Sequence, residues 1–149
     1  MTPVNTSDTS PLSQHTYKRS VRHANIIDLS NILLKPVDKD GQTLRHAKLM
    51  KHTNGAEWIN YVIINKMGVT QFCFDPIDID IVDGKRWRQM KNGYIGYTEK
   101  INGKVQSHYL HKMVADKYKR VTGEKLNVCH RSIITDNTLD NLVINRWKN

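Results

Sequence analysis

The spacing of apolar and polar positions changes several times along this chain, and each change predicts an element. Over residues 26–34 the apolar side chains fall at 26, 27, 29, 32, 33 and 34. That suits a short helix ending before Pro36, since proline disfavours helical geometry at Lys35; a strand is the weaker alternative. Asp38-Lys39-Asp40-Gly41 and Asn54-Gly55 read as turns, and residues 43–51 between them fit strand or helix equally. Residues 58–65 and 69–74 are rich in aromatic and β-branched side chains and flank Lys66-Met67-Gly68, which predicts a β-hairpin. Within residues 75–83 Asp and Ile alternate through residues 78 to 81. The spacing fits no EF-hand loop, so this is read as a half-buried strand or the capped start of a turn rather than a cation site.

The second half is more sharply punctuated. Residues 93–101 and 104–110 flank Asn102-Gly103, the favoured two-residue hairpin turn. Met113, Val114, Tyr118 and Val121 then form a helical face over residues 111–121, with Gly123 as its stop. Residues 125–130 return as a strand. Last, Leu139, Leu142 and Val143 stand at i, i+3 and i+4 behind Asp136 or Asn137 as N-cap. This predicts a short helix carrying Asn137 and Asn141 four apart on one face, where amide side chains can orient the imidazole of His130 at the preceding strand end. The expected organisation is a Thr/Ser/Asn-rich, disordered tail over residues 1–25, an unassigned element over 26–57, and a main α+β domain over 58–149. The tail closes on a basic cluster of His15, Lys18, Arg19, Arg22 and His23.

Charge changes the picture. Residues 1–83 hold nine Lys/Arg and nine Asp/Glu, whereas residues 84–149 hold fourteen against five, so the whole net charge of +9 lies in the C-terminal part. A basic half with interspersed Tyr and Trp is the electrostatic footprint of a polyanion partner. Lys85, Arg86, Arg88, Lys91, Lys112, Arg131 and Arg146 are the candidate phosphate contacts, and Trp87 among them is expected to anchor the core. Cys73 and Cys129 are far apart with no CxxC, which disfavours a disulfide framework or a paired-cysteine zinc site. No apolar run approaches membrane-spanning length and the N-terminus lacks the apolar core of a secretory signal. The expectation is a soluble protein of the host cytoplasm or nucleus, or one packed in a virion, with no membrane partner.

Trp87, Asn92-Gly93-Tyr94, Tyr109-Leu110-His111-Lys112, Val128-Cys129-His130 and Asp136-Asn137 followed by Asn141-Leu142-Val143-Ile144 stand in the order of a known pattern. In these segments the chain resembles the HNH homing-type endonucleases common in large DNA viruses and phages, over roughly residues 58–145. The resemblance implies a C-terminal ββα-metal unit after the antiparallel hairpins, and hydrolysis of phosphodiester bonds in double-stranded DNA with Mg²⁺ (or Mn²⁺). It makes His130 the general base, Asn141 the residue that holds its imidazole, Asn137 the pin of the loop, and His111 a packing residue. His108 is expected at the surface, and Tyr94, Tyr97 and Tyr109 as cover for the sheet. Cys129 stands where the family has an aspartate metal ligand, Asn149 near the place of its second ligand, and the loop after His130 is one residue shorter. The alternative is an inactive HNH-derived protein that binds nucleic acid or serves in a virion or ribonucleoprotein.

Overall fold

In the computed structural model, residues 26–39, 41–122 and 126–146 are described. The expected tail over 1–25, the stop at Gly123 and the position of Asn149 lie outside them. The described chain is mixed α+β and mostly strand, with two short α-helices.

Four antiparallel strands build the larger sheet: β1 (Ile26–Ile32), β2 (Leu44–His52), β3 (Glu57–Asn65) and β4 (Gly68–Phe74). The expected central hairpin is β3–β4, and the undecided residues 43–51 are strand. Residues 26–34 correct the helix expected there. The chain pairs antiparallel with β2 from Ile26 opposite His52 to Ile32 opposite Ala47, and Ile32 packs on the core. The apolar spacing fitted both periods; the edge of β2, whose backbone groups need a partner, decided between them. Because β1 and β2 pair in one sheet with β3, residues 26–57 belong to the same body as the β3–β4 hairpin.

Residues 75–83 form a turn and not a strand, and neither Asp75 nor Asp78 caps it through its side chain. Pro76–Asp78 make a 3-10 turn that runs into the single-turn helix α1 (Ile79–Val82). Asp78 is buried there and forms an ion pair with Lys117, so its carboxylate is used structurally.

The smaller sheet is β5 (Arg88–Gln89), β6 (Ile95–Ile101) and β7 (Lys104–Tyr109). The β6–β7 turn has φ 51° at Asn102 and 79° at Gly103, the pair of positive values a type I′ turn requires. α2 (Leu110–Thr122) comes directly after β7 and packs on β8 (Leu126–His130). Trp87 anchors the core as expected. It is fully buried, donates from Nε1 to Val82 O at 2.7 Å, and meets Tyr97 edge-on with centroids 5.0 Å apart. One core cluster runs from Ala47 through Phe72, Trp87 and Leu110 to Leu142.

The C-terminal stretch corrects a second expected helix. Asp136–Asn137 form the short strand β9, parallel to β4. Leu139–Asn141 make a 3-10 turn, and Leu142–Arg146 form β10, antiparallel to β8. Leu139, Leu142 and Val143 therefore do not share a helical face, and Asn137 and Asn141 are not four apart on one. The β-branched pair Val143-Ile144 serves the open edge of β8, and the Asn141 side chain takes up backbone groups that a helix would have used. Among the described residues no helix is long and apolar enough to cross a membrane.

Candidate functional site

His130 ends β8. Alternation turns Val128 into the core and aims His130 along the same face, while Cys129 lies exposed on the other. The loop after it is built around Asn141, which is fully buried. Its Oδ1 accepts from the Ser132 N–H at 3.2 Å and the Ser132 hydroxyl at 3.0 Å, and its Nδ2 donates to Ile133 O at 2.7 Å and Asp136 O at 2.8 Å. The Asp136 carboxylate accepts from the N–H and hydroxyl of Thr138 and from Cys73 Sγ. Cys73 N–H donates to Thr135 O, and Leu139 N–H to Asp75 Oδ2 at 2.7 Å. The loop is thereby fastened to β4 and to the turn next to it at Asp75.

Asn137 then reaches the imidazole: its Oδ1 lies 3.0 Å from His130 Nε2, and its Nδ2 donates to Thr135 O at 3.4 Å. This exchanges the two expected roles. Asn137 holds the ring and Asn141 pins the loop, because Asn141 faces the inside of the loop rather than the strand end. An amide oxygen can only accept, so Nε2 is the donor in this contact. The arrangement is a histidine with its tautomer set by its neighbour.

Aromatic rings surround it. Tyr94 lies near-parallel to His130 with centroids 5.7 Å apart, and His111 is 4.7 Å from His130 and 4.5 Å from Tyr94. Tyr109 completes the group, 5.7 Å from Tyr94. Gly93 lets the cluster close, since a Cβ there would sit 2.7 Å from Ile134 in the loop. A Cβ on Gly96 would meet the His108 carbonyl at 2.5 Å and the Tyr109 ring at 3.0 Å. Gly96→Ala is expected to cost about 1–3 kcal/mol in urea unfolding. A loss below about 0.5 kcal/mol would show that β6 and β7 absorb the methyl group.

His111 is buried at the start of α2 with no partner for Nδ1. Burial, then the His130 and Lys112 charges, lower its pKa to about 4. A histidine that resists protonation only when folded contributes stability above pH 6.5. That contribution is lost as pH falls from 6.5 toward 4, where the folded form also takes the proton, and it amounts to about 3 kcal/mol. His111→Gln is expected to flatten this part of the stability profile relative to the unaltered protein. Identical profiles from pH 7 to 4 would contradict the assignment.

The seven candidate cations separate. Lys85 Nζ donates to Ile81 O, Arg86 Nε to Val37 O and Arg131 Nε to Asp140 O. Arg88 and Lys91 border a cleft beside Tyr109, and Lys112 lies 5.4 Å over the Tyr109 ring. The Arg146 side chain is outside the described part of the chain. His108 is half-buried rather than at the surface. It faces the Glu99 carboxylate at 2.8 Å, an ion-pair contact without hydrogen-bond geometry. Sequence reasoning missed Gln89, Asn92, Thr98 and Ser107 as cleft residues, and the register of the Asn-Gly hairpin was the signal that could have found Thr98 and Ser107. A smaller slot of about 110 Å³ is bordered by Met50, Trp58 and Cys73 and by Ile133 and Thr135 of the loop after His130.

A hard divalent cation needs several oxygen ligands. Among the described residues no group of three His, Cys, Asp or Glu can hold an ion. Near His130, Asn137 Oδ1, Asp136 Oδ1 and Asn141 Oδ1 are engaged with protein partners. Cys129 offers a soft thiol on the opposite strand face. These residues do not fit an ion held by the protein. No family profile, curated protein or solved structure matches this chain.

Proposed function

We propose that the chain is an HNH-type endonuclease acting on DNA phosphodiesters, with His130 as general base. What carries the reading is the Nε2 contact to Asn137 at 3.0 Å. In the neutral ring that contact puts the lone pair on Nδ1, where it takes a proton from an attacking water, the role of a general base in ester hydrolysis. Among the described residues the expected C-terminal ββα unit is not formed, since α2 comes before the β8–β10 pair and not after it; the cations at Arg88, Lys91 and Lys112 supply a surface for phosphate. Mg²⁺ or Mn²⁺ would supply electrostatic stabilisation of the phosphate in such an enzyme; no described residue is assigned to it and no step is derived through it.

The engagement of the oxygen donors around His130 favours one second reading, an HNH-derived protein that binds nucleic acid without cutting it. Supercoiled plasmid incubated with Mg²⁺ or Mn²⁺, against a chelator control, separates the two. Metal-dependent nicking supports the enzyme, and salt-sensitive binding without nicking supports the binder. Phosphate-dominated binding weakens steeply with salt, so affinity indifferent to ionic strength would count against both.

A further inference from the structure

The cleft beside Tyr109 holds about 410 Å³ and is bordered by Arg88, Gln89, Met90, Lys91, Asn92, Thr98, Ser107 and Tyr109. Resting on the endonuclease proposal, we infer that this cleft is a subsite for one phosphorylated nucleotide of the strand presented to His130. Two cations and no carboxylate border it. Register explains the sidedness. Gly96 pairs with Tyr109 and Thr98 with Ser107, which puts these residues on one face of the hairpin. Glu99 and His108 face the other way, against each other.

The wall is fixed before any ligand arrives. Asn92 Nδ2 donates to the Tyr109 hydroxyl at 3.1 Å, Asn92 Oδ1 accepts from the Tyr94 N–H, and Gln89 Nε2 donates to Gly93 O. Gly96 leaves the space that the Tyr109 ring fills. The side chains left for a ligand are the guanidinium of Arg88, the ammonium of Lys91 and the hydroxyls of Thr98 and Ser107. Two positive donors beside two hydroxyls and an aromatic ring suit a phosphate with a base or sugar attached. The volume lies in the range of small-molecule sites. Tyr109 also belongs to the ring cluster, with Tyr94 between it and His130. A strand with one phosphate at His130 therefore has its neighbouring nucleotide within reach of the cleft.

The test is titration of ¹⁵N-labelled protein with the 5′-phosphorylated dinucleotide pTpT at low salt, against thymidine and a hexaglutamate peptide. Saturable amide shifts at Asn92, Thr98, Ser107 and Tyr109 are expected with pTpT. Thymidine and hexaglutamate are expected to bind at least tenfold more weakly, and Arg88→Gln with Lys91→Gln should weaken pTpT at least tenfold. Ser107→Val is a second variant that leaves both charges in place and should also weaken pTpT. Equal binding of thymidine or hexaglutamate would overturn the subsite, as would shifts confined to residues 130–137. Plasmid nicking with a silent cleft sinks the subsite alone, whereas pTpT binding in the cleft without nicking sinks hydrolysis and keeps the subsite.

Discussion

Asn141→Ala is expected to lower folding stability by about 3–5 kcal/mol. The side chain is fully buried and makes four hydrogen bonds within the loop. Truncation removes those bonds and strands the carbonyls of Ile133 and Asp136 in a site too tight to hydrate freely. Each buried group left unsatisfied costs about 1–3 kcal/mol. The loop also carries β9 onto β4 and presents Asn137 to His130, so the damage reaches both sheet and site. Urea unfolding of the variant reads the loss directly. A change under about 1 kcal/mol would mean that the loop is held by its backbone contacts and not by this amide.

Under the proposed function, loss of the His130 imidazole is the second large effect. His130→Ala is expected to reduce plasmid nicking by about 10²–10⁴-fold, the range associated with a positioned acid–base group, while leaving DNA affinity within about twofold, because phosphate contacts dominate that affinity. Asn137→Ala should keep the imidazole but release its tautomer, with a smaller loss of about tenfold, consistent with orientation rather than proton transfer. The ratio between the two variants is the informative quantity. Equal losses would make Asn137 a direct participant, and nicking unaffected by His130→Ala would remove the assignment altogether.

Much of this was legible residue by residue. Asn102-Gly103 announced its hairpin because a type I′ turn demands two positive φ values that few dipeptides adopt cheaply. Trp87 read as an anchor, and the helix at 110–122 showed its period. His130 with Asn137 and Asn141 was picked out as a unit. The misreadings have one cause. Residues 26–34 and 136–144 carry apolar spacings that satisfy two periods at once, and each became strand because an edge elsewhere in the chain, β2 or β8, lacked a partner. The roles of the two asparagines were exchanged for a related reason: without the true backbone path, spacing alone cannot say which amide faces the ring.

The sequence by itself determined where turns fall, which half of the chain is basic, and which histidine stands at a strand end among amides, since these depend on local backbone preferences and on charge. Only the tertiary structure decided that β9 joins the larger sheet, that His111 is buried against His130, and that Arg88 and Lys91 part from Lys85 and Arg86 to border a cleft. Those outcomes depend on pairing between residues distant along the chain. Such pairing is settled by the need to satisfy buried backbone groups and close one core, not by the identity of neighbours in sequence.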